Sequence, residues 1–132
     1  MEVNKKLEPL NDLLVFLIPF IMIFGICLIV NGDKSPGGGF QGGAIFTGIF
    51  IAIYLVDESK KVDLGVFKLV EKFAFISLTV IILGFLFFTF ADLPHWIKKG
   101  YLLTTNTLIG AKVCAGLSLV FYRFSRIERE EE

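Results

Sequence analysis

Residues 31–44 read Asn-Gly-Asp-Lys-Ser-Pro-Gly-Gly-Gly-Phe-Gln-Gly-Gly-Ala and separate two long apolar segments. Pro36 fixes its own φ and pushes the residue before it away from the helical region. Glycine opens backbone conformations that other residues rarely adopt, at an entropic cost. The stretch therefore predicts a tight turn whose backbone approaches another segment closely. The residues predicted to build this Gly-rich loop are Asn31, Pro36, Gly37, Gly38, Gly39, Phe40, Gly42 and Gly43.

The composition is typical of a membrane protein. Of the 132 residues, 55% are apolar, the mean hydropathy is +0.73 and the formal net charge is zero. The apolar residues form four blocks at about 13–30, 40–56, 73–91 and 103–122. Each block is long enough to cross about 30 Å of hydrocarbon as a helix. We predict an all-α integral membrane protein, with residues 1–132 forming one membrane domain of four transmembrane helices and the Gly-rich loop between helices 1 and 2.

A charged segment at residues 57–72 separates the second and third blocks. Within it, Val62, Val66, Phe67 and Val70 are spaced to form one apolar face of a helix. An amphipathic helix of this kind lies in the interface between lipid and water. We therefore predict that residues 57–72 are an interfacial segment.

Two sets of small residues in the second and fourth blocks predict close helix packing. Small residues spaced four apart let two helices approach closely in lipid, where burial of apolar surface provides no driving force for helix association. The alternative is that the set in the second block faces lipid by chance. The two cysteines lie inside apolar blocks and are interpreted as small buried side chains rather than metal ligands. The residues predicted to pack are Ala44, Gly48, Ala52, Gly110, Cys114 and Ala115.

The distribution of basic residues predicts the topology. Four spans place both termini on one side of the membrane. That side would hold nine lysines and arginines, and the other side would hold three. This excess predicts a multi-pass protein of the cell membrane with both termini in the cytoplasm.

Lys112 is the charged residue at the centre of the fourth block. A lysine at mid-depth costs about 2.5–3.5 kcal/mol on insertion scales, so it is expected to face protein or water. Two interpretations remain open: an amine that loads and releases a proton in an ion path, or a fixed ion pair that sets register. Asn106 precedes Lys112 by six residues, roughly 9 Å along a helix, which is close enough for one or two waters to join the two. The predicted spans contain no carboxylate, so an acidic partner would come from another subunit.

The sequence gives little indication of a catalytic or cofactor-binding site. Gly37, Gly39 and Gly42 have the spacing of a dinucleotide-binding fingerprint, but that motif works only between a strand and a helix, and apolar spans flank it here. No metal-ligand cluster or pair of nucleophile and base is present, and no basic face suggests nucleic acid. We predict no cofactor, no metal and no enzyme activity of the chain by itself.

Residues 31–44, with the core Pro-Gly-Gly-Gly-Phe, resemble the hallmark of the MnhB/MrpB family, whose members are membrane subunits of Mrp-type multisubunit Na+/H+ antiporters. Residues 108–118 are similar to the last span of that family. The resemblance implies a small membrane subunit of a large assembly. Similar subunits occur in archaeal membrane-bound hydrogenases and related energy-converting complexes, which leaves open whether the chain is a non-catalytic subunit of a redox complex.

Three hypotheses of function follow. The first is a membrane subunit of a multisubunit cation/proton antiporter module, in an energy-converting complex that couples redox chemistry to Na+/H+ exchange. In that complex the chain would pack against neighbouring subunits and lipid and line an ion path at Lys112. The second is a structural spacer subunit without a role in the ion path. The third is a self-contained small transporter or channel.

Overall fold

The chain folds into four helices. The computed structural model describes residues 2–34, 36–56, 63–88 and 94–131. The helices are α1 (Glu2–Val30), α2 (Gly38–Val56), α3 (Leu64–Phe88) and α4 (His95–Glu131). By length and composition each can cross a membrane, over Pro9–Val30, Gly38–Val56, Leu64–Leu86 and His95–Ile127. The prediction of an all-α protein with four transmembrane helices is confirmed, and the described ranges contain no strand.

A short turn connects α1 to α2. The backbone N–H and the side-chain amide of Asn31 both donate to the carbonyl of Cys27, at 3.0 and 2.9 Å. Gly37 and Gly38 have φ angles of +149° and +60°, values that glycine adopts without steric cost. Of the five glycines that follow Pro36, Gly37 alone lies in the connection, and the other four begin α2. The Gly-rich loop is therefore shorter than its sequence suggests, because most of its glycines serve helix packing.

All four helices extend beyond the predicted spans, α2 by only two residues and the other three by much more. α3 begins nine residues before position 73, so residues 64–72 of the predicted interfacial segment continue into it without a break. α4 likewise extends past 103–122 at both ends, and α1 begins well before residue 13. A helix satisfies its own backbone hydrogen bonds, so it does not have to end where the apolar residues end. Residues 57–62, and residues 89–91 of the predicted third span, lie outside the described ranges.

α4 is the central helix of the bundle. It packs against α2, against α3 and, over a shorter length, against α1, while α2 also packs against α1. α2 and α4 run parallel, because Thr47 meets Cys114 and the ring of Tyr54 meets the ring of Tyr122 further along both helices. α2 is therefore held between α1 and α4.

α3 runs antiparallel to α4. Near one end of the pair, the rings of Phe85 and Tyr101 stack with centroids 4.2 Å apart. Near the other end, the rings of Phe67 and Tyr122 lie 5.8 Å apart. These two aromatic contacts fix the register of the pair, and Lys112 lies halfway between them along α4.

Candidate functional site

Lys112 occupies the interface between α3 and α4. Its Nζ lies 4.3 Å from the centroid of the Phe75 ring. The lysine side chain is half-buried, and Phe75 is 53% exposed at the outer edge of the interface. Because the register places Lys112 midway between the two aromatic contacts, its charge lies near the middle of the membrane-spanning part of both helices.

The contact with the Phe75 ring offsets part of the cost of placing this charge in the membrane. A cation over an aromatic ring gains about 0.5–1 kcal/mol at an exposed site and about 2 kcal/mol when it is desolvated. A lysine at the centre of a span costs about 2.5–3.5 kcal/mol. The ammonium group therefore needs a further partner, which is either water or a carboxylate.

Glu71 is a residue that the sequence pattern did not assign to the site. It lies four residues before Phe75 in α3, and residues four apart share one face of a helix. Its side chain is half-buried and lies within Leu64–Leu86, the part of α3 that is long and apolar enough to cross a membrane. Glu71 and Lys112 form no ion pair among the described contacts. The four-residue spacing between Glu71 and Phe75 is the sequence signal that could have predicted this carboxylate on the same helix as Phe75 rather than in an interfacial segment.

Asn106 faces the turn between α1 and α2. A methyl group added to Gly32 would lie 2.5 Å from the Asn106 Nδ2 atom. Asn106 also lines a small pocket of about 50 Å³ together with the exposed, charged side chains of Asp33 and Lys99. Lys112 contacts α3 instead, so the structure places the two predicted path residues against different neighbours and does not bring them together.

The backbones of α2 and α4 approach each other closely at glycines. A methyl group added to Gly43 would lie 2.5 Å from the carbonyl oxygen of Gly110, and one added to Gly39 would overlap the carbonyl oxygen of Asn106. We call Gly39, Gly43 and Gly110 the glycine seam. Because backbone meets backbone here, no side chain can move aside to make room.

The other predicted turn and packing residues have varied surroundings. Gly42 faces α1, where an added methyl group would lie 2.9 Å from the carbonyl oxygen of Gly25. An added methyl group on Gly48 would meet no atom within 4 Å. Pro36 and Phe40 are exposed. Ala115 is buried, whereas Ala44, Ala52 and Cys114 are half-buried. Only part of the predicted set therefore makes close contacts within this chain.

An apolar cavity of about 550 Å³ lies between α2, α3 and α4. Phe46 and Phe50 of α2 and Phe67 and Val70 of α3 line its walls, together with Thr107 of α4, whose hydroxyl donates to the Leu103 carbonyl of its own helix. Among the described residues, no group of three or more His, Cys, Asp or Glu side chains could hold a metal ion.

Thr47 supplies a polar contact beside the glycine seam. It is 4% exposed, and its hydroxyl lies 3.0 Å from the carbonyl oxygen of Gly43 and 3.4 Å from that of Cys114 across the interface. Hydrogen bonds between membrane helices average about 0.6 kcal/mol. The Thr47→Val variant should lower the free energy of unfolding by about that amount, measured by SDS titration of the purified protein.

Thr79 is the matched control for this substitution. It is exposed, and its hydroxyl donates only to Phe75 of its own helix, at 2.9 Å. We expect Thr79→Val to leave the unfolding free energy unchanged. Equal losses in both variants would contradict an interhelical role for Thr47.

Four apolar helices, with α4 packed against the other three and a half-buried lysine halfway along it, define a multi-pass helical membrane protein. The chain belongs to the family described as "Domain related to MnhB subunit of Na+/H+ antiporter", which it matches over residues 10–122. The resemblance seen in residues 31–44 is thereby confirmed.

Relatives of the chain occur in archaea and bacteria. It is 29% identical to "Uncharacterized protein MJ1307" of Methanocaldococcus jannaschii, over 89% of this chain and 52% of the relative. It is 33% identical to "Putative antiporter subunit mnhB2" of Staphylococcus saprophyticus and 34% identical to the protein of that name in Staphylococcus aureus strain Newman. Both of these matches cover 46% of this chain and 41% of the relative. The chain thus spans about half the length of these relatives or less. No solved structure matches it.

Proposed function

We propose that the chain is a non-catalytic subunit of a multisubunit cation/proton antiporter in the plasma membrane, and that Lys112 contributes its amine to the ion path. The observation that carries this proposal is a lysine at mid-depth in a member of the MnhB family. The names of the staphylococcal relatives, which refer to an antiporter subunit, support it. A charged residue inside a membrane span typically serves transport, because its cost is otherwise uncompensated.

In this proposal, polar side chains at successive depths serve the path. Asn106, with Asp33 and Lys99 beside it, lines the pocket near the α1–α2 turn. Lys112 lies deeper, where its flexible four-carbon stem lets the amine leave the Phe75 ring to load or release a proton. Glu71 is one helical turn beyond Phe75, towards the opposite side of the membrane. Water joins these groups within the assembly.

The host assembly is an energy-converting complex that couples redox chemistry to Na+/H+ exchange. This part of the proposal rests on the family resemblance of residues 31–44, since such subunits occur beside redox modules. The excess of basic residues favours an orientation with both termini in the cytoplasm and the α1–α2 turn on the outer side.

A structural spacer is the second candidate function, and the glycine seam favours it. Contacts between backbones at Gly39 and Gly43 hold α2 rigidly on α4, as a scaffold subunit requires. Lys112 would then form a fixed ion pair without exchanging protons.

Isolation of the tagged chain from its native membrane tests the proposed function. We expect other membrane subunits of an antiporter to copurify, together with redox subunits, and the purified complex to exchange Na+ for H+ after reconstitution in vesicles. A homo-oligomer of this chain that transports ions alone would contradict the subunit assignment.

A further inference from the structure

One face of the α3–α4 pair is apolar, exposed and interrupted by a single charge. Phe75, Thr79, Ile82 and Leu86 recur at helical spacing along α3, and all four are exposed. Lys112 of α4 lies beside the first of them. The Thr79 hydroxyl donates to the carbonyl of Phe75 within its own helix, so it offers no donor to a neighbour. We call these five residues the Phe75 face.

The charge on the Phe75 face has no counter-ion in the described part of the chain. Residues 73–88 of α3 and 95–127 of α4 contain no Asp or Glu. Glu71, one turn from Phe75, makes no ion pair with Lys112. The ring of Phe75 reduces the cost of the charge without neutralising it. Lipid tails at this depth offer neither a charge nor a hydrogen-bond acceptor.

We infer that the Phe75 face docks a transmembrane helix of a neighbouring subunit that carries an Asp or Glu at mid-depth, opposite Lys112. The inference rests on the proposed function, which supplies the neighbouring subunits. A carboxylate is the side chain that neutralises an ammonium group, and a helix packed over the exposed Phe75 ring excludes water and strengthens the pair. The ion path then follows the boundary between the two subunits.

Photo-cross-linking in the assembled complex tests the docking. A photoreactive azidophenylalanine replaces Phe75 in one preparation and Phe73 in another. Both positions carry an exposed Phe, at 53% and 70%, and lie two residues apart in α3. Two residues rotate by about 200° around a helix, so Phe73 points away from the Phe75 face at nearly the same depth. We expect position 75, and not position 73, to cross-link to a transmembrane peptide of another subunit that contains Asp or Glu.

Charge variants test the ion pair itself. We expect Lys112→Met to reduce the amount of chain recovered in the complex, since it leaves a buried carboxylate unpaired. Changing the cross-linked acid to Asn or Gln should restore assembly in the Lys112→Met variant, because both charges are then removed. A double variant that assembles no better than Lys112→Met would overturn the inference.

Two further outcomes would also overturn it. The first is cross-linking at position 75 to lipid only, or to a peptide without a carboxylate. The second is loss of assembly in Glu71→Gln to the same extent as in Lys112→Met, which would make Glu71 the counter-ion within the chain. A failure of the proposed ion-path role gives a different result. In that case position 75 still cross-links to the acidic peptide, but the Lys112→Arg complex retains full Na+/H+ exchange.

Discussion

Gly43→Ala should separate α2 from α4 and lower the free energy of unfolding by about 3 kcal/mol, the upper end of typical overpacking costs. The added methyl group would lie 2.5 Å from the carbonyl oxygen of Gly110 and 2.9 Å from the Cβ atom of Val113. Neither atom can move away by a side-chain rotation, so the helices themselves must shift. SDS titration or thermal unfolding of the purified protein measures the loss.

Gly48→Ala is the matched control, with the same substitution in the same helix. An added methyl group at Gly48 meets no atom within 4 Å. Alanine also has a better helix propensity than glycine, so we expect stability to be unchanged or to rise by up to about 1 kcal/mol. Equal destabilisation by the two substitutions would contradict the packing of α2 against α4 through the face that carries Gly43.

The number and type of the helices could be predicted from the sequence. A block such as 13–30 has no charged residue, so its length alone indicates a membrane span. The ends of the helices were harder to predict, because the charged residues that end an apolar block do not end a helix. α3 illustrates this, since it begins at Leu64, well before the apolar block at 73–91.

The rotation of α2 could not be predicted from the sequence. Its glycines and alanines offer two small-residue stripes, one through Gly39 and Gly43 and one through Ala44 and Gly48. Adjacent residues differ by about 100° around a helix, so the two stripes face different neighbours. Because α2 packs against both α1 and α4, the stripe through Gly39 and Gly43 is the one that contacts α4. This choice depends on contacts between residues far apart in the chain, which the local sequence does not determine.

The candidate site could be predicted in part. The central position of Lys112 in its span predicts a candidate site, because a charge at that depth is costly. Its contact with Phe75 depends on the antiparallel register of α3 and α4, which the hydropathy of the two segments does not encode. Asn106 lies on the same helix as Lys112, but the structure turns it towards the α1–α2 turn.

Lys112→Arg should reduce Na+/H+ exchange by about a hundredfold, the lower end of what a positioned proton-transferring group contributes. Arginine keeps the positive charge and can still pair with a carboxylate, so the complex should assemble. Its guanidinium group does not release its proton in proteins, so a step that needs a neutral amine is blocked. A fixed ion pair, by contrast, would tolerate this substitution.

Lys98→Arg is the matched control, because Lys98 is exposed near the start of α4, outside the pocket that Asn106 lines, and should tolerate the change. The decisive measurement is the rate of Na+/H+ exchange per assembled complex in vesicles that contain the Lys112→Arg chain. For the Lys112→Arg chain we predict a near-complete loss of exchange with normal assembly, and for Lys98→Arg we predict unchanged exchange. Normal exchange by the Lys112→Arg complex would contradict a proton-exchanging role for Lys112.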